Sequence, residues 1–338
     1  LSKNEKITCA SCHLQEHGFT DARALSVGFA GGKTKRNSMG LANARFHPSG
    51  RFFWDERAKT LEDQVLMPIQ DKTEMGMTLD KLVRRLRQDP RYPTLMQRAF
   101  GSPKITTKRI SRALAQFIRS IVSYRTRFDE GLTQTRSTTK DFPNFTKQEN
   151  EGKALFMGQR GRRLNCASCH MSGGRGFGRG RGGRSSSTAV FVSRRPTNNG
   201  LDRDFTKKDT GVGGQTLRFA DQGKFKVPSL RNIELTGPYM HDGRLATLED
   251  VIDHYDHGVQ PHPTLDRRLR GLAQRGPPGR RGFGRFGRRG RGGQSGRNIS
   301  ASQKSALIAF MKTLTDHELQ RDPKYSDPFQ AHGRGKGK

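Results

Sequence analysis

The residues best equipped for chemistry occur as two copies of one pattern. ITCASCHL spans residues 7–14 and LNCASCHM spans residues 164–171, and their shared core CASCH holds all four cysteines of the chain. Two cysteines on one helical turn project their sulfurs to the same side, where they can form thioethers with the two vinyl groups of a haem. The adjacent histidine then swings under the ring and gives a nitrogen to the iron. C-x-x-C-H is the attachment signature of c-type haem. A redox pair or a four-cysteine zinc site would leave the histidine after each second cysteine unexplained. The expectation is two covalent haem c groups, one on Cys9, Cys12 and His13 and one on Cys166, Cys169 and His170. All cysteines are then consumed, no disulfide remains, and assembly belongs outside the cytoplasm, in the periplasm.

The elements that position these turns are mostly helical. Over Thr106 to Tyr124, Ile110, Leu114, Phe117, Ile118, Ile121 and Val122 recur at three- and four-residue steps. Ser302 to Leu314 repeats the pattern with Ala306, Leu307, Phe310 and Met311, opened by SASQ, a Ser followed three residues later by Gln. Shorter helices are predicted at Leu61 to Met67, Leu79 to Gln88, Tyr92 to Phe100 and Thr247 to Tyr255, and another from Thr146. Alternating strands are scarce. A length of 338 residues accommodates two domains, one per haem motif, and the polar stretch before Thr146 places the boundary near residue 140. The fold class read from the chain is mostly α: two cytochrome c-type domains, 1–140 and 141–338, with long loops and few strands.

Only 31% of residues are hydrophobic and the mean hydropathy is −0.84, so part of the chain is not core. The net charge of +32 invites a nucleic-acid reading, but its distribution argues against one. Residues 173–195 carry six arginines and residues 275–297 carry eight, neither with an acidic residue, so these Arg/Gly-rich insertions supply 14 of the +32. They read as flexible loops. No apolar run is long enough to span a membrane, and no signal peptide precedes Cys9. With the first haem motif so close to residue 1, the N-terminus reads as mature or truncated.

With two haem motifs in place, further stretches carry a family resemblance. FFWDERAKTLEDQVLMPIQDKTEMGM (52–77), KFKVPSLRNIELTGPYMHDGRLATLEDVIDHYDHG (224–258) and FMKTLTD (310–316) resemble the bacterial di-haem cytochrome c peroxidase family, which includes MauG-like enzymes. The resemblance covers nearly the whole chain outside the Arg/Gly insertions. It implies that the haem on His13 is the peroxide site, with Glu74 of KTEMG as the distal acid–base residue and Gln64 of LEDQ as the distal amide. It also implies that Trp54 of FWD, the single tryptophan, lies between the haems and can relay an electron, while serving as a packed aromatic. The haem on His170 would be the electron-transfer centre.

The resemblance fixes less about the second ligand of that haem. Typical members place a Met after the TLE helix, whereas this chain has Tyr255, as in the MauG-like branch; Met240, His254 and His257 are the rivals. A phenolate favours ferric and higher states, while Met raises the potential. A loop that in many members carries a blocking His reads SVGFAGG here, with Phe29 at that place, which implies a peroxide site open without prior reduction. The family commonly holds one Ca2+, matched here by Asn37 and by the backbone oxygens of Thr236 and Pro238. His241 matches a histidine near the inter-haem region, able to bond a propionate or to serve structure alone.

The leading expectation is a periplasmic peroxidase that reduces hydrogen peroxide with electrons from a small cytochrome c or a cupredoxin, an acidic partner suiting the basic chain. MauG-like oxidation of a partner protein's side chains is the alternative, for which Tyr255 argues. A different class is an electron-transfer cytochrome whose RGG-like loops bind a polyanion. Relatives of this kind are often homodimers.

Overall fold

The computed structural model describes residues 2–159, 164–171, 190–203, 209–273 and 297–326. The second Arg/Gly insertion therefore lies outside the described residues except for Arg297, and the first except for residues 190–195. Those last residues correct the reading of the first insertion: Val190, Phe191 and Val192 are buried core, so the loop assigned to 173–195 runs too far. The arginine-rich context hid a short apolar run that packs by itself.

Helices dominate, and among the described residues strand pairing is confined to isolated bridges such as Phe52 with Ala58 and Thr197 with Phe225. The expected helix at Leu61 to Met67 is two short ones, α1 (Leu61–Gln64) and α2 (Met67–Gln70), with Pro68 in the first turn of the second. Then follow α3 (Leu79–Gln88), α4 (Arg91–Phe100) and α5 (Thr107–Ser120), close to expectation. A helix α6 (Arg127–Thr135), where the sequence predicts none, runs into the polar stretch before Thr146, and α7 (Lys147–Phe156) follows it. The second half contains α8 (Ala167–His170), α9 (Gly213–Thr216), α10 (Leu248–Asp253), α11 (Ala301–Lys312) and α12 (His317–Arg321).

Capping explains most of the starts. Thr60, Thr78, Thr106, Thr146, Thr247 and Ser300 each accept the backbone N–H three residues on. Glu149, Asp250 and Gln303 return the bond to complete capping boxes, including the one expected of SASQ.

The larger core lies between α7 and α11 and is aromatic: Phe128, Phe142, Phe145, Phe156, Phe191 and Phe310 pack with ring centroids 4.9–6.5 Å apart. The two helices touch backbone to backbone at Gly152, where an added Cβ would lie 1.8 Å from the Ala306 carbonyl oxygen. Phe128 of α6 joins this core, and Asp129 beside it holds the buried Arg231 in a bidentate pair. A second core collects Ile69, Met75, Met77, Leu82, Leu86, Met96, Ile105 and Ile110 from α2 to α5. The far end of the chain returns to the beginning. Gln15 donates to the carbonyls of Leu319 (3.0 Å) and Asp322 (2.9 Å), Gln320 donates to Glu16 (2.8 Å), and Phe19 packs with Leu319 and Tyr325.

Candidate active site

Both CASCH turns open onto one cavity of about 950 Å³, whose walls include Cys12, His13, Cys166, Cys169 and His170. Cys9 is exposed and lies outside that lining, and none of the four cysteines is disulfide-bonded. The first turn is a 3-10 turn, Cys9–Ser11, and the second is α8. His13 Nδ1 lies 2.9 Å from the Phe19 carbonyl and 3.3 Å from the Ser38 hydroxyl, which itself donates to the Cys12 carbonyl. A ring whose Nδ1–H is spent on a carbonyl keeps the Nε2 lone pair for a metal. Burial lowers the pKa of His13, and that of His170 to about 4, so both imidazoles are neutral, the form that ligates iron. The backbones of Phe191 and Pro228 are the polar neighbours of His170. Donor set and cavity fit two covalently held haems, and for His13 the tautomer does as well.

On the His13 side, α1 presents Gln64 to the cavity, and the turn after α2 presents Glu74. Asp71 builds that turn: its carboxylate accepts the N–H groups of Thr73 (2.8 Å) and Glu74 (3.0 Å), and its carbonyl that of Gly76 (2.8 Å). Phe29 N–H donates to the Glu74 carbonyl at 3.0 Å. The Phe29 ring packs on Gly76, at φ +58°, where an added Cβ would meet it at 2.5 Å. Phe29 thus braces the Glu74 turn from behind and does not line the cavity. Burial, and after it the Asp71 carboxylate, raises the Glu74 pKa, with Arg57 pulling the other way.

Trp54, Asn37, Thr236, Pro238 and His241 line the same cavity. Trp54 Nε1 donates to the Asn37 carbonyl at 2.9 Å, and Asn37 N–H donates to the His241 carbonyl at 2.8 Å. The His241 ring stacks on Phe225 at 3.8 Å and 13°. Asn37 spends its amide N–H on the carbonyls of Ala24 (3.1 Å) and Arg23 (3.4 Å).

On the His170 side, α10 runs into a π-helical turn, His254–Gly258, which carries Tyr255 to the cavity wall. Met240 also lines the cavity. The two histidine rivals do not: His254 is buried with Nε2 3.1 Å from the Asn199 carbonyl, and His257 is largely exposed beside Asp256. Burial pushes the Tyr255 phenol up to about 12, with a hydrogen bond from Asn199 opposing it. The Asn199 amide also donates to Met240 Sδ at 3.4 Å.

Of the residues assigned to the site from the sequence, all but Cys9 line this one cavity; the rival ligands His254 and His257 do not. Sequence reading missed Arg36, Asp209, Asn199 and Lys226, which share the walls. Arg36 adjoins Asn37 and Lys226 lies within the 224–258 stretch, but nothing local marks Asp209 or Asn199, whose partners are far away in sequence.

The family model described as di-haem cytochrome c peroxidase matches residues 1–137. MauG of Methylorubrum extorquens is 33% identical over 271 residues, 80% of this chain and 69% of that protein. Cytochrome c551 peroxidase of Nitrosomonas europaea is 33% identical over 255 residues, 75% of this chain and 68% of its own length. A solved MauG-like protein associated with microbial copper homeostasis matches with a TM-score of 0.73 at 32% identity, covering 97% of this chain and 89% of that one. Two haem-attachment turns on one cavity, a mostly helical frame and relatives of this similarity lead to one assignment: the chain belongs to the di-haem cytochrome c peroxidase family, MauG proteins included.

Proposed function

We propose that this chain is a di-haem peroxidase that reduces hydrogen peroxide to water with electrons from a small redox protein. One hydrogen peroxide takes up two protons and two electrons and leaves as two waters. When bound, the haems supply an iron position for the peroxide and the one-electron chemistry that restores it. His13 and His170 would ligate the irons and the four cysteines would tether the rings. Lys226 would face a haem carboxylate: it lines the cavity, and burial drives its pKa down to about 8 against the pull of Glu56. Glu74 takes the proton from one peroxide oxygen and returns it to the other, while the Gln64 amide orients the bond between them.

The observation that carries the reading is that Glu74, Gln64, Trp54 and both CASCH turns share one cavity while Phe29 stays out of it. An EPR spectrum of the ferric protein tests it, taken before and after one equivalent of peroxide. The expected starting state has an open His13 haem that reacts without prior reduction. A low-spin bis-histidine signal from that haem would overturn the open-site assignment.

Calcium and the second ligand belong to the same proposal. Asn37 Oδ1 makes no hydrogen bond among the described residues, and with the Thr236 and Pro238 carbonyls it offers the hard oxygens Ca2+ prefers. Tyr255 is the proposed second ligand of the His170 haem, supported by its place on the cavity wall. Tyr255 and the MauG relative also favour a second reading, in which the oxidising equivalents are spent on a partner protein's side chain. Rapid steady-state turnover with reduced cytochrome and peroxide favours the peroxidase; slow turnover favours the other. The acidic donor, the homodimer and the periplasmic location rest on composition and kinship. A polyanion-binding role for the Arg/Gly insertions is tested by deleting both and measuring heparin retention.

A further inference from the structure

Arg36 sits at a junction none of the peroxide chemistry uses. Its guanidinium is 18% exposed and contacts two carboxylates, with Nε 2.5 Å and Nη2 2.7 Å from Asp209 and Nη1 2.6 Å from the buried Asp55. It also lies 5.8 Å from the centre of the Phe225 ring that stacks on His241. Asp55 is held a second and a third time, by Arg57 Nη1 at 3.0 Å and Gln215 Nε2 at 3.3 Å. Asp209 is fixed by the N–H of Gly211 at 2.9 Å.

The neighbours in sequence give this cluster its meaning. Arg36 precedes Asn37, whose carbonyl accepts the Trp54 indole, and Asp55 follows Trp54. The two strands of chain that meet at the indole are therefore joined twice, once by the Nε1 hydrogen bond and once by the Arg36–Asp55 ion pair. Each is also tied to the second half of the chain: Asn37 N–H to the His241 carbonyl, and the Trp54 carbonyl to Lys226 N–H at 2.8 Å. A planar indole on one hydrogen bond can still swing about it; a second fixed point on the neighbouring residue removes that freedom. Arginine suits this post because its planar fork engages two carboxylates at once, which an ammonium cannot do with the same geometry.

We propose that Arg36, clamped between Asp55 and Asp209, is a positioning residue that sets the Trp54 indole in the cavity shared by the two haem-attachment turns. The proposal rests on Trp54 relaying electrons, and the test separates the two ideas. R36K, R36Q, D209N and W54F are compared with the parent protein, all carrying two haems by mass. Trp54 is the only tryptophan, so ultraviolet resonance Raman reads the hydrogen bond of that one indole. Flash reduction of the His170 haem then gives the rate at which the electron reaches the His13 haem.

R36K and R36Q are expected to weaken the indole hydrogen-bond signature and slow transfer about tenfold or more, in keeping with the roughly hundredfold cost of ångström-scale misplacement. D209N, which leaves Asp55 in place, should show a smaller change in the same direction. Should R36Q fail to fold, R36K and D209N decide. An unchanged indole band and an unchanged rate in doubly loaded R36K, with W54F slow, would overturn the clamp. If W54F transfers as fast as the parent, the relay reading of Trp54 falls, and the indole band alone judges the clamp.

Discussion

In the proposed role Glu74 holds a proton and releases it within one turnover, and its surroundings favour the protonated form. It must start ionised to accept the peroxide proton, so activity falls as pH drops through its pKa. Because burial raises that pKa, the acid limb of kcat/KM should lie above the ordinary carboxylate value of about 4.3. Glu74→Gln should lower kcat by about 10²- to 10⁴-fold, and the acid limb should vanish with it. Tyr255 supports a second residue-scale prediction. If Tyr255 is the proposed ligand, Tyr255→Met exchanges phenolate oxygen for a thioether and should raise one haem potential, by on the order of 0.1 V out of the ~0.8 V that axial ligands span. A spectroelectrochemical titration with only one wave displaced would check it.

At the scale of elements, the tightest joint is α7 on α11 at Gly152. Gly152→Ala drives a methyl into the Ala306 carbonyl and should cost about 1–3 kcal/mol or more, read by thermal unfolding. Helices with an apolar face and a capping residue, such as α5, α7 and α11, were legible in the sequence because those signals are local. α6 was not: RFDEGLTQT buries only Phe128 and Gly131 and is held by Arg231, some hundred residues away. The π-helical turn was equally hidden, since HYDHG reads as more of the same helix. The CASCH turns announced themselves because covalent attachment demands two cysteines and a histidine at fixed spacing. Arg36 and Asp209 did not, since an ion pair across 173 residues leaves no trace in either neighbourhood.

Across the whole molecule the dominant quantity is charge. At +32, the protein should draw an acidic donor through long-range attraction. kcat/KM for such a donor should fall steeply as ionic strength rises from about 0.01 to 0.15 M, where the Debye length shrinks from ~30 to ~8 Å. A neutral small-molecule reductant should show little change over the same range.

The strap between Gln15 and the α12 region carries a consequence for biogenesis. Cys9 and Cys12 leave the ribosome long before Leu319 and Asp322, the residues that brace the segment just behind them, 304 and 307 positions downstream of Gln15. The first pair of thiols should therefore be able to take its tetrapyrrole before the strap closes over the segment behind it.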